Sequence, residues 1–147
     1  MRRIICLVLA AVLCAAVLPG CGSAYDHFYG IPGGYTASEE HFEKDAWQDS
    51  ADYCKYVYPS PEPFEKDRRY SVVTEADVAE IRGYFADFAE WMETQDRMTE
   101  YDFDDSIIGA GDRVYLRTRG SHDKYDDYTV CLFDSETCVL YYIHANI

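Results

Sequence analysis

Residues 74–94 read TEADVAEIRGYFADFAEWMET. Val78, Ile81, Phe85, Phe88 and Met92 recur at spacings of three and four, which places them on one stripe of an α-helix, and Tyr84 and Trp91 widen it. Glu75, Glu80, Asp87, Glu90 and Glu93 fall on the opposite side. Thr74 and Asp77 make a pair resembling a capping box, with Val73 and Val78 at the staple positions, so the helix is expected from about Thr74 to Thr94. An aromatic stripe at this spacing is a core face before it is a cofactor box.

Downstream of the helix the period changes to two. Residues 102–108, 113–119, 127–133 and 138–143 each read as a strand. Gly109-Ala110-Gly111-Asp112 and Asp134-Ser135-Glu136-Thr137 supply turn residues between them. Short connections favour antiparallel neighbours. With Phe133 set opposite Cys138, parity puts Tyr128, Val130, Leu132, Val139, Tyr141 and Ile143 on the face that meets the helix, joined by Val114 and Leu116. The other face then carries Thr129, Cys131, Leu140, Tyr142 and His144, with Arg113, Tyr115, Arg117 and Arg119 from the preceding strand.

Upstream, Ser38 suits a helix cap, with Glu39, Glu40 and Glu43 near its positive end. Phe42, Ala46, Tyr53 and Val57 then share a face, although Tyr53 to Tyr58 suits a strand nearly as well. Pro59, Pro61 and Pro63 end the segment. The fold class expected is α+β: an amphipathic helix packed on a three- to four-stranded antiparallel meander, with an additional N-terminal helical segment. Residues 38–147 form this single small domain, and the Gly-bearing stretch 21–37 is a flexible tether. Tyr25, Phe28, Tyr29 and Ile31 spoil a purely polar linker, so part of it is free to dock.

The chain begins Met1-Arg2-Arg3, followed by fifteen apolar residues from Ile4 to Leu18. That is a signal peptide pattern and falls short of the roughly 18–20 residues of a spanning helix. Leu18-Pro19-Gly20-Cys21 closes it and resembles the lipobox of bacterial lipoproteins, although Pro19 stands where Ala, Ser or Thr is usual. The resemblance covers residues 1–23 and concerns address, not activity. It implies removal of residues 1–20, lipidation of Cys21 and a place at the extracytoplasmic face of the cell membrane. The competing reading is ordinary cleavage after Ala24, which leaves a free secreted protein.

The chain holds 13 basic and 27 acidic residues, a net charge of −14. Without Arg2 and Arg3 the mature chain sets 11 against 27, or −16. Such a charge argues against nucleic acid and against electrostatic attachment to anionic lipid, so a membrane partner has to be held through the anchor. Cys54, Cys131 and Cys138 remain after the signal, an odd number that allows one disulfide at most or three small buried hydrophobes.

A basic and aromatic stripe on so acidic a protein marks the candidate ligand-binding residues Arg113, Tyr115, Arg117, Thr129, Tyr142 and His144. Arg grips carboxylate or phosphate in a bidentate manner, and Tyr adds rigid amphipathic area. The blander reading pairs these arginines with Asp102, Asp104, Asp123, Asp126 or Asp127. Residues 102–106 begin like a calcium loop, but Ile107 and Arg113 stand where Gly and a bidentate Glu belong, and the motif fails. Asp123, Asp126 and Asp127 leave an irregular calcium site open as a minor reading. No zinc pattern, nucleophile elbow or phosphate loop is present, so neither metal nor cofactor is expected. Cys54, Cys131 or Cys138 with His144 allows a thiol nucleophile and base, as any such set of residues does. These readings converge on a lipid-anchored binding or interaction module for a cell-surface protein or glycan. The alternative is a small hydrolase acting on cell-wall or glycan material.

Overall fold

The computed structural model describes residues 29–42, 50–119 and 125–146. Residues 1–20, expected to be a signal, Cys21 and residues 22–28 lie outside them. Six strands form one antiparallel sheet: β1 (Ala37–His41), β2 (Ser50–Val57), β3 (Ser71–Val72), β4 (Arg113–Thr118), β5 (Asp127–Asp134) and β6 (Val139–Asn146). Their spatial order is β1-β2-β6-β5-β4-β3. Between β2 and β3 lies the short helix α1 (Glu62–Lys66), and between β3 and β4 the long helix α2 (Val78–Thr94).

This overturns the expected three- to four-stranded meander with an N-terminal helical segment. Residues 37–41 and 50–57 are strands, and β2 pairs with β6 along its whole length, from Ser50↔Asn146 to Val57↔Val139. The helical reading of this region rested on Phe42, Ala46, Tyr53 and Val57. Within β2, however, Ala51, Tyr53, Cys54 and Tyr56 are all buried, from both faces. A strand covered on both sides loses the alternation that would have revealed it. The strand expected over 102–108 is also absent. It is replaced by a 3₁₀ turn at Asp105–Ile107, where the Asp104 carboxylate accepts the Ser106 amide at 2.9 Å.

Helix α2 begins at Val78, four residues later than the capping pattern suggested. Thr74 and Asp77 still bond each other: the Thr74 amide and hydroxyl both donate to Asp77 Oδ2, at 2.8 and 2.6 Å. They close the turn that leads into the helix. Ile81, Tyr84, Phe85, Phe88 and Met92 are buried against Tyr53, Val114, Tyr128, Val130, Leu132 and Ile143 of the sheet. The loop after α2 closes this core, with Phe103 stacked on Phe85 at 3.9 Å between ring centroids. Tyr128 donates its hydroxyl to Asp87 Oδ2 at 2.9 Å, which ties the middle of the helix to β5.

The second face is covered as well. Ile31, Tyr58, Phe64 of α1 and Tyr70 pack on Cys54, Tyr56, Cys131, Phe133, Leu140 and Tyr142. Phe64 stacks on Phe133 at 3.8 Å. Two tyrosine hydroxyls hold the segment before β1 in place, Tyr58 on the Pro32 carbonyl at 2.5 Å and Tyr70 on the Gly30 carbonyl at 2.7 Å. Residues 29–36, assigned to the tether by composition, therefore form part of the second core layer.

Truncating Phe133 removes the ring on which α1 rests, so Phe133→Ala is expected to cost about 3–5 kcal/mol. Urea denaturation checks this; a loss under about 1 kcal/mol would mean that the second layer adds little.

Asp102 joins the loop to β2 by accepting Tyr53 Oη at 2.8 Å and pairing with Lys55 Nζ at 2.7 Å. The Lys55 ammonium, helped by the Tyr53 hydroxyl, holds the Asp102 carboxyl below its ordinary range despite some burial. A carboxylate depressed in the folded state stabilises above its unfolded pKa, and that contribution disappears as pH falls through the folded value. Because the Asp102 side chain is 66% exposed, solvent screening limits the gain to about 0.5 kcal/mol. Asp102→Asn should lose that much at pH 7 and show a smaller drop than wild type as pH falls below about 4. Equal acid sensitivity of the two proteins would remove Asp102 from the account.

Candidate functional site

The second face of β4, β5 and β6 is built from cross-strand rows. Arg117 stands opposite Thr129, and Thr129 opposite His144. Across β6, His144 is opposite Asp52 of β2. The neighbouring row runs Tyr115, Cys131, Tyr142 and Cys54. At the end of β4 the Arg119 amide donates to the Asp127 carbonyl at 2.7 Å, which brings these two side chains to the same end of the strand pair.

Over this face lies Tyr29. Its ring meets Tyr142 edge-on at 6.1 Å and His144 at 6.4 Å. The next residue explains the approach. Gly30 adopts φ +88°, and a Cβ there would come 2.5 Å from Tyr115 Cδ1, so glycine is needed for both the turn and the contact. The Cys131 thiol donates to the Tyr29 carbonyl at 3.4 Å.

Tyr29, Tyr115, Arg117, Arg119, Asp127, Thr129 and His144 together line a cleft of about 100 Å³. A cleft of that size falls below the roughly 300–1,000 Å³ of ligand pockets, so it suits the end of a ligand rather than a whole oligomer. His144 Nδ1 lies 2.9 Å from the Tyr128 carbonyl and 3.2 Å from Thr129 Oγ1. A carbonyl oxygen can only accept, so Nδ1 carries the proton. In the neutral ring Nε2 is then left as an acceptor.

Of the six candidate residues read from the sequence, the cleft brings together Tyr115, Arg117, Thr129 and His144. Arg113 is on the same strand face but four residues away, opposite Phe133. Tyr142 is fully buried beneath Tyr29, and its hydroxyl has no hydrogen-bond partner among the described residues. Burial pushes its phenol well above the ordinary value. Three lining residues were not among the six. Arg119 and Asp127 follow from the same strand parity, and Tyr29 was hidden in what composition marks as a tether. Its signal was that Tyr25, Phe28, Tyr29 and Ile31 spoil a purely polar linker.

The thiols take no part in the cleft chemistry. Cys54, Cys131 and Cys138 are all free. Cys54 and Cys131 are separated by the intervening Tyr142, and Cys138 sits in the β5–β6 turn at φ 59°. Burial pushes the Cys54 and Cys131 thiols up to about 12, which leaves neither as a ready nucleophile. Among the described residues no set of three His, Cys, Asp or Glu side chains is placed to hold a metal ion. Asp123 of the irregular calcium reading lies outside them. Comparison with protein-family models, with curated proteins and with solved structures finds no match for the chain.

Native protein treated with a maleimide at neutral pH should be labelled at the half-buried Cys138, with Cys54 and Cys131 protected until unfolding. Peptide mapping of the labelled sites checks this. Labelling of all three at one rate would contradict the burial of the two strand cysteines.

Proposed function

We propose that this chain is an exported, lipid-anchored binding module whose cleft takes a small anionic group. The observation that carries the reading is the meeting of Arg117 and Arg119 in one small cleft of a chain with net charge −14. Guanidinium groups suit carboxylate and phosphate, and the flanking Tyr29 and Tyr115 give rigid amphipathic walls. Two guanidiniums against the one carboxylate of Asp127 keep the lining net positive in an otherwise acidic chain.

The location is supported by the Leu18-Pro19-Gly20-Cys21 ending of the signal. If Cys21 carries the lipid, eight residue steps separate it from Tyr29 at the cleft. Fully extended, they span at most about 29 Å. The cleft would then work close to the membrane, on ligands in the space just outside it. A thiol hydrolase receives no support, because the two strand cysteines are buried and hard to ionise.

Replacing Arg117 by Ala should weaken binding of a simple anion such as acetate about tenfold, as the loss of a charge-assisted pair implies. Amide shifts of Thr129 and His144 during titration provide the readout. Cys21→Ala should move the protein from the membrane to the soluble fraction. An Arg117→Ala protein that binds as well as wild type would remove the anion site, and a Cys21→Ala protein that stays membrane-bound would remove the anchor.

A further inference from the structure

Strand β4 runs from Arg113 to Thr118, but β3 pairs with only the first two of its residues, Ser71 with Val114 and Val72 with Arg113. Before β3 the chain turns away, and the Arg69 amide donates to the Asp67 carboxylate at 3.0 Å rather than to β4. On the other side, the Arg119 amide donates to the Asp127 carbonyl at 2.7 Å. Main-chain groups alternate sides along an antiparallel strand, so those of Leu116 and Thr118 point away from β5. Both residues are exposed, and among the described residues no strand meets their outward N–H and C=O groups. Such a row is a template for one more strand.

The open edge borders a groove of about 370 Å³ between β4 and the first turns of α2, a size within the range of ligand pockets. Val72, Ile81, Val114 and Leu116 supply its apolar lining. Val72 and Leu116, at 48% and 37%, are two of the four exposed large apolar side chains among the described residues. The charged groups on the groove are unbalanced. Arg69 is already paired with Asp67. Asp77 is held by Thr74, and Glu80 is exposed with no ion-pair partner among the described residues.

We propose that the outer edge of β4 and this groove dock an extended segment of a partner protein, which joins the sheet as a further strand beside Leu116 and Thr118. Alternate side chains of that segment face the groove. The one opposite Leu116 is apolar and covers Val114 and Leu116, and the next on that face is Lys or Arg, paired with Glu80. A second copy of this chain fits the edge badly. Antiparallel pairing that matches Leu116 with Thr118 of the copy sets Arg117 opposite Arg117, and two chains of charge −14 repel. The Arg117 side chain itself faces the cleft on the other side of the sheet, so this docking edge does not depend on the anion reading.

The test titrates the full chain with the blocked peptide acetyl-Thr-Leu-Thr-Lys-Thr-amide, whose Leu and Lys share one face. Amide shifts and hydrogen-exchange rates of Leu116 and Thr118 are the readouts. Both amides should exchange rapidly in the free protein and slow at least about tenfold at saturating peptide. N-methylation of the peptide's Leu removes a main-chain donor and should weaken binding about tenfold. Exchanging its Lys for Glu should cost about fivefold, and Glu80→Gln should erase that preference. Thr118→Pro removes an outward N–H and leaves the β5 ladder intact, so the variant should fold and lose binding at least about tenfold. Absence of peptide binding, or equal binding of the N-methylated peptide, would overturn the proposal even if Thr118→Pro failed to fold. So would a folded Thr118→Pro that binds like wild type, or a Lys preference that survives in Glu80→Gln. Protection of both amides in the free protein would also overturn it, with a dimer in sedimentation assigning the edge to a second copy and a monomer to the chain's own residues.

Discussion

Strand β5 is buried on both faces along nearly its whole length, and this constraint organises the molecule. Phe133, Cys131 and Thr129 look one way, and Leu132, Val130 and Tyr128 the other, with almost no exposed surface among them. A strand so apolar cannot end a layer; it needs a cover on each side. Helix α2 supplies one cover, and α1 with residues 29–36 the other. The register that aligns those faces is set in the β5–β6 turn. Asp134 accepts the amides of Glu136 and Thr137 at 2.8 and 3.3 Å, and Cys138 takes the left-handed conformation that lets the chain return. Asp112 joins this turn to the one before β4 by accepting from Ser135 and Gly109 at 3.1 and 2.9 Å. Buried carboxylates with several donors hold such turns more firmly than solvent-facing loop contacts can.

From this frame the cleft follows almost mechanically. The same parity that buries Cys131 and Tyr142 sets Arg117, Thr129 and His144 in a row just beyond them, where the second cover ends. Tyr29 is the last described residue of that cover and leans over the row. Among the described residues, the cleft is therefore an edge between a covered and an uncovered part of one sheet face. Its walls are rigid because they are strand residues, and the wall added by Tyr29 depends on the absence of a side chain at Gly30. The charge pattern follows as well. An acidic protein gathers cationic side chains at one sheet corner, so its field there differs from the field elsewhere on its surface.

Much of this was legible from spacing. The three- and four-residue recurrence in 78–92 is a helix, and the alternation in β4 to β6 separates two faces. The pairing itself differs from the one assumed: Phe133 meets Leu140 rather than Cys138. That shift is two residues, and an even shift leaves each side chain on its face. An odd one would have dispersed Arg117, Thr129 and His144. Other features were not legible. Tyr53, Cys54 and Tyr56 form a run without alternation because β2 is covered twice, so helix and strand could not be told apart. Residues 102–108 alternate as a strand would, but the Asp104 side chain bonds the local backbone and turns the chain instead.

The sequence by itself determined the acidic balance, the helix and the two faces of the last three strands, because each is written in local order or in composition. Tertiary structure alone decided that β2 inserts beside β6, that residues 29–36 become a core layer, and that Tyr29 joins Arg117 and His144 across more than eighty residues of chain. Those outcomes depend on which buried surfaces meet. Contact between distant segments is set by the shape and area left over once local elements have formed, and no local pattern records it.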